Sequence, residues 1–232
     1  MKRIGSILAL GCLIFLLTAC ASGSTPAQTS ASPTVPPTPT ATPTPSVPAG
    51  TLLYQSDWSK GLTGWGGSAG WTIVQGAAQS DTSSNNALTV PYQMTVHNYA
   101  LEYRFQIVSV PQNGGSFFLK GVRTQGKDGY DAGILNLLKP GGNSEFANPQ
   151  IQVYLDPMGD MDGRMQLADY EPGTTWHTFR VEVQGPQVTF FTDDLRKGDA
   201  YSTKTDWLSN GPLELVSSGA VIRVSSVKIT AL

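Results

Sequence analysis

The chain has 232 residues with 17 acidic, 15 basic and 2 histidine side chains, and 40% of its residues are hydrophobic. All the acidic residues and 13 of the basic ones follow position 50, so that part carries a charge of −4. This excludes a nucleic-acid surface, which needs a clustered basic face, and an electrostatic membrane patch.

The first 19 residues read as an export signal: Lys2 and Arg3, an apolar run from Ile4 to Leu17, then small residues. That run is shorter than the roughly 20 apolar residues a membrane-spanning helix takes. The string Leu17-Thr18-Ala19-Cys20 resembles the lipobox of bacterial lipoproteins. The resemblance implies acylation of Cys20 and a chain exported and lipid-anchored to the outer face of the bacterial cell membrane. The other cysteine, Cys12, lies inside the signal, so residues 51–232 contain none. That excludes disulfides, cysteine-ligated zinc and cysteine nucleophiles there.

Residues 20–50 form the next unit. Eight of the 16 prolines fall in 21–49, among Ser, Thr and Ala and with no large apolar side chain. Nothing there offsets the entropy of ordering, so a stalk is expected. At ~3.1 Å per residue in polyproline II it reaches at most about 90 Å.

From Thr51 the pattern becomes period two. In Asn98–Val108, Tyr99, Leu101, Tyr103, Phe105 and Ile107 share one face, and Glu102, Arg104 and Gln106 the other. Gln150–Asp156 sets Ile151, Val153 and Leu155 against Gln150, Gln152, Tyr154 and Asp156. Trp176–Gly185 sets Phe179, Val181 and Val183 against Thr178, Arg180, Glu182 and Gln184. Such alternation predicts half-buried antiparallel strands. Similar runs near 51–56, 71–75, 86–91, 116–123, 130–137, 187–193, 212–217 and 220–230 make about a dozen. Turn signals between them point to an all-β sandwich or barrel over 51–232. The one helical turn expected lies near Asp206–Leu208.

The order of the strings YQSDWSKGLTGW, GWTIVQGAAQS, NYALEYRFQI, TTWHTFRVEVQGPQVTFFTDD and GPLELVSSGAVIRVSSVKI resembles the concanavalin A-like jelly-roll superfamily. Within it the strings are most similar to the laminin G-like and 3-keto-disaccharide hydrolase group, which is family 16 glycoside hydrolase-like. The resemblance implies a jelly-roll β-sandwich of two curved antiparallel sheets, one presenting polar and aromatic groups to a saccharide. The resemblance implies a partial match to that group's Gln-plus-Asp strand in QIQVYLD, at Gln152 and Asp156. The segment after them is shorter than in the group, and its asparagine-Ser-Gly strand motif is absent.

Glycoside hydrolysis uses two carboxylates. None of the five glutamates stands in the Glu-x-Asp-x-x-Glu pattern of family 16 glucanases. The remaining catalytic candidates are Glu102 with Glu182, each on its strand's polar face, and Asp156. Arg104, Arg123, Gln152, Tyr154 and Asp156 are the candidate ligand-binding residues, since such groups bond hydroxyls and stack on sugar rings. Trp65 and Trp71, in a Gly-rich segment, are expected to be partly exposed. His177 and His97 each read as a general base or as a strand-end fixture. Asp156, Asp160 and Asp162 lie within seven residues and are oxygen ligands suited to calcium, although no EF-hand register fits them. No serine sits in a nucleophile elbow.

Three readings follow: a carbohydrate-binding module, a glycoside or 3-keto-glycoside hydrolase, or a structural, protein-binding module. The expected partner is extracellular or cell-wall carbohydrate, met by a monomer that touches the membrane through its lipid alone.

Overall fold

The alternating segments are strands in the computed structural model, which describes residues 47–67, 69–112, 114–137, 149–156 and 168–232. In chain order the first are β1 (Leu52–Gln55), β2 (Gly66–Gly67), β3 (Trp71–Val74), β4 (Ala77–Ser80), β5 (Asn86–Thr89) and β6 (Tyr99–Ser109). Then come β7 (Gly115–Gly121), β8 (Gly129–Leu137), β9 (Gln150–Asp156), β10 (Ala168–Asp169) and β11 (Trp176–Gln184). The last are β12 (Gln187–Thr192), β13 (Leu195–Tyr201), β14 (Leu213–Ser218) and β15 (Val221–Ala231).

The first sheet runs β13-β12-β11-β6-β15-β4-β3, with β1 also on β15; the second runs β10-β9-β8-β7-β14-β5-β2. Every pairing between these strands is antiparallel. The chain crosses between sheets repeatedly, so strands distant in sequence become neighbours. The expected all-β, jelly-roll sandwich is what the chain forms.

The apolar faces meet between the sheets. Leu101, Tyr103, Phe105, Phe117, Leu119, Ile134, Ile151, Val153, Phe179, Val181 and Leu215 are all fully buried. Phe179 sits 4.2 Å from Phe105 and 5.4 Å from Tyr103, ring centroid to ring centroid, so β6 and β11 lock through aromatic contacts. Tyr103 in turn meets Phe117 of the second sheet edge-on at 5.2 Å. Such pairs add about 0.5–1.5 kcal/mol beyond area burial. A second cross-sheet link is polar: the Tyr99 hydroxyl lies 3.2 Å from the Tyr130 hydroxyl inside the core.

Besides the two-residue strands β2 and β10, two strands escape the sequence pattern, β4 and β13. Ala77–Ser80 lacks branched side chains, and Leu195–Tyr201 is rich in charge. Each is the return arm of a two-residue hairpin. Gln75 and Gly76 have φ 52° and 74°, and Asp193 and Asp194 have 47° and 62°. Two consecutive positive φ values are the type I′ geometry that matches strand twist. The turn expected at Asp206–Leu208 is not helical. The described helix is instead a 3₁₀ turn at Trp58–Lys60, where Asp57 Oδ1 accepts the Ser59 backbone N–H at 3.2 Å.

Candidate functional site

The outer side of the second sheet carries a polar row built by strand register. Tyr154 on β9 stands opposite Asp131 on β8, and Asp131 opposite Lys120 on β7. Lys120 stands opposite Glu214 on β14, and Glu214 opposite Thr89 on β5. Directly opposed side chains have Cβ atoms about 4.5–5.5 Å apart, so these groups are neighbours. Lys120 Nζ lies 3.6 Å from Asp131 Oδ1, and Thr89 Oγ1 donates to Glu214 Oε1 at 3.5 Å.

Asp131 is the unusual member. Its strand neighbours Tyr130 and Ala132 point into the core, so it faces outward, yet it is only 6% exposed. Buried carboxylates are rare unless paired, and such charges cluster at functional sites. The charge is felt nearby: burial chiefly, with Tyr99 and then Asp131 adding to it, pushes the Tyr130 hydroxyl well above its ordinary range.

A second register row runs beside the first: Gln152, Gly133, Phe118, Val216 and Ala87. Gly133 leaves bare backbone between Phe118 and Gln152. A Cβ there would come 2.1 Å from the Phe117 carbonyl oxygen, so no other residue fits. The rings of Phe118 and Tyr154 meet edge-on at 6.4 Å across this strip. The face thus offers carboxylates, an ammonium, an amide, a hydroxyl and two partly exposed rings.

Of the sequence-derived ligand residues, Gln152 and Tyr154 lie on this face. Arg123 is exposed in the turn between β7 and β8, at the end of the same sheet. Arg104 does not join them, because β6 belongs to the first sheet. There its guanidinium lies 4.9 Å from the Trp176 ring centroid. Asp156 is on β9 opposite Gly129, and its side chain lies outside the described residues. Asp160, Asp162 and Cys20 lie outside them altogether. Among the described residues no group of three or more His, Cys, Asp or Glu side chains is placed to hold a metal ion.

Glu102 and Glu182 occupy the outer side of the first sheet and line one hollow with Arg180 between them in register. Glu182 Oε1 is 3.4 Å from Arg180 Nη1. His177 fixes a strand end. Its Nδ1 is 2.6 Å from Asp193 Oδ2, and its Nε2 is 2.7 Å from the Pro172 carbonyl and 2.9 Å from Thr175 Oγ1. His97 lies tilted against Trp207 with ring centroids 4.8 Å apart, and Lys127 Nζ lies 3.4 Å from the centroid of the same ring. Trp65 is half-buried and stacks on Trp58 at 4.7 Å. Trp71, expected to be partly exposed, is 3% exposed because its indole donates to the Asn86 carbonyl inside the sandwich at 3.0 Å.

Lys120, Asp131, Glu214, Thr89 and Phe118 were not singled out from sequence. The usable signal was the single charged residue, Asp131, inside the largely apolar run Gly129–Leu137.

Residues 55–230 match the model of a family described as 3-keto-alpha-glucoside-1,2-lyase-like domain. No curated protein matches the chain. Among solved structures, a Bacillus subtilis protein of unknown function with a galectin-like fold aligns at TM-score 0.61 and 12% identity, over 79% of this chain and 97% of that one. A Crh5 transglycosylase in complex with NAG aligns at 0.56 and 15%, over 80% and 88%. The CBM2 module of the evolved Dit of Lactobacillus casei BL23 phage J-1 aligns at 0.53 and 12%, over 79% and 97%. At such identities these likenesses concern the fold alone.

Proposed function

The chain belongs to the 3-keto-alpha-glucoside-1,2-lyase-like family, and from that premise we propose that its domain recognises extracellular carbohydrate on the outer side of the second sheet. The buried Asp131 beside Lys120 carries this reading. A carboxylate held under an outward-facing ammonium fixes that donor in place, where a sugar hydroxyl can accept from it. Glu214 supplies an acceptor, Gln152 both kinds of group, and Phe118 and Tyr154 the apolar edges against which pyranose C–H faces pack. A Crh5 transglycosylase of the same fold, in complex with NAG, supports a saccharide ligand by analogy. The same reading takes Cys20 as lipidated and residues 20–50 as a stalk, which would put the domain outside the cell.

Affinity-gel electrophoresis on a panel of neutral and acidic polysaccharides tests the proposal. Retardation on at least one, lost in Tyr154→Ala, is expected. A folded protein that no polysaccharide retards contradicts it.

The family match favours a second reading, lyase chemistry on the same face. A 3-keto group acidifies the neighbouring C2–H. A base removes that proton, the C1–O bond breaks, a C1=C2 double bond forms, and the departing alkoxide is protonated. Glu214 as base and Lys120 as the partner of the developing enolate oxygen stand opposite each other. Turnover of a 3-keto-α-glucoside, abolished in Glu214→Gln with binding retained, supports this reading; no turnover of it by the wild type leaves recognition alone.

A further inference from the structure

The hollow on the outer side of the first sheet measures about 360 Å³. Register explains it. Ala100 on β6 lies between Thr230 on β15 and Glu182 on β11. Lys228, Glu102 and Arg180 span the same three strands two residues along. A small residue among long ones leaves a depression floored by Ala100, which is 9% exposed. Gly50 and Leu232 close its other side, and Gln184 also lines it.

The chemistry of the rim is specific. Two carboxylates and two cations surround the floor, and their charges cancel. Arg180 is held in place: its guanidinium lies 4.5 Å from the Phe191 ring centroid and pairs with Glu182. Its buried Nε has no hydrogen-bond partner among the described residues.

We propose that this hollow is a second saccharide site, taking one uncharged pyranose unit. Glu102 and Glu182 accept from hydroxyls, and Arg180, Lys228 and Gln184 donate to them. The balanced rim gives no advantage to an anionic or cationic sugar. Ala100 and Leu232 supply the apolar contact, and the volume lies within the roughly 300–1,000 Å³ of small-molecule sites. The choice of ligand class rests on the saccharide reading above; the site itself is separate from the Asp131–Lys120 face. With sites on both outer sides of the sandwich, the domain would bridge two glycan chains.

Amide chemical-shift mapping of the isotope-labelled full chain tests this, with methyl β-D-glucopyranoside, methyl α-D-glucopyranoside and N-acetylglucosamine as probes. Saturable shifts at Gly50, Ala100 and Thr230 are expected with at least one probe. Glu102→Gln should weaken that binding about tenfold or more, and Ala100→Leu should fill the hollow and remove it. Shifts confined to Phe118, Gly133 and Tyr154 overturn the second site while leaving the first. Hollow shifts that survive both substitutions also overturn it. No shifts on either face, with the amide spectrum of a folded protein, overturn both.

Discussion

The ammonium of Lys120 lies 3.6 Å from the Asp131 carboxylate, on the outer side of a strand whose other face is the core. The pair is asymmetric, with Lys120 30% exposed and Asp131 9% exposed at the side chain. Replacing Asp131 therefore acts chiefly by leaving an amide where a buried charge was matched. Asp131→Asn should lower unfolding stability by about 1–3 kcal/mol, measured by urea denaturation. Lys120→Met should cost at least as much, because it leaves the buried Asp131 carboxylate without its cation, whereas Asp131→Asn leaves a partly exposed ammonium that water can solvate.

Two core tyrosines should respond in opposite directions to loss of the hydroxyl. Tyr103 is fully buried, and its hydroxyl has no partner among the described residues. Tyr103→Phe should be neutral or raise stability by about 1 kcal/mol. The Tyr99 hydroxyl bonds that of Tyr130, so Tyr99→Phe strands a buried partner and should cost about 1–3 kcal/mol. Paired denaturation curves read both; equal signs would remove the distinction.

Much of the fold was legible because period-two alternation and burial report the same thing. Every residue assigned to the apolar face of β6 is buried, and Glu102, Arg104 and Gln106 lie on its other side. Hairpin arms such as β13 were hidden, because a type I′ turn can enforce a strand that composition does not favour. The site was harder to read. Strand alternation tells which face Gln152 and Tyr154 share. It does not tell that β7 and β14 bring Lys120 and Glu214, 94 residues apart, together. Arg104 was grouped with Arg123 for the same reason: polar faces look alike in sequence, whichever sheet they belong to.

Alkaline pH should unfold the domain through its buried tyrosines. Burial holds the Tyr99, Tyr103 and Tyr130 hydroxyls above their ordinary value of about 10. The folded state favours the neutral phenol, so this contribution is fully present below pH about 10 and is lost as pH rises beyond it. On the acid side, hydrogen bonds from Ser59 and Ser83 hold Asp57 and Asp81 below the usual carboxylate range. Their contribution is present above pH about 4 and fades below it. Denaturation midpoints across pH should fall at both ends. Tyrosinate absorbance should rise in a second step that coincides with unfolding.

The hairpin between β12 and β13 should accept a glycine gladly at one place. Asp194 is exposed at φ 62°, where a side chain is strained and glycine is not. Asp194→Gly should stabilise by about 0.5–1 kcal/mol. Asp193→Gly should not, because Asp193 Oδ1 accepts the Thr178 N–H at 2.9 Å and Oδ2 bonds His177. Thermal melting of the two variants separates the turn effect from the side-chain effect.

Saccharide recognition on the Asp131–Lys120 face is tested most directly by isothermal titration of a polysaccharide that retards the protein. The titration compares the wild type with Lys120→Met and Tyr154→Ala. Binding weakened about tenfold or more in both variants, each still folded at the titration temperature, is the predicted result. Unchanged affinity in both would contradict the assignment of the site to this face.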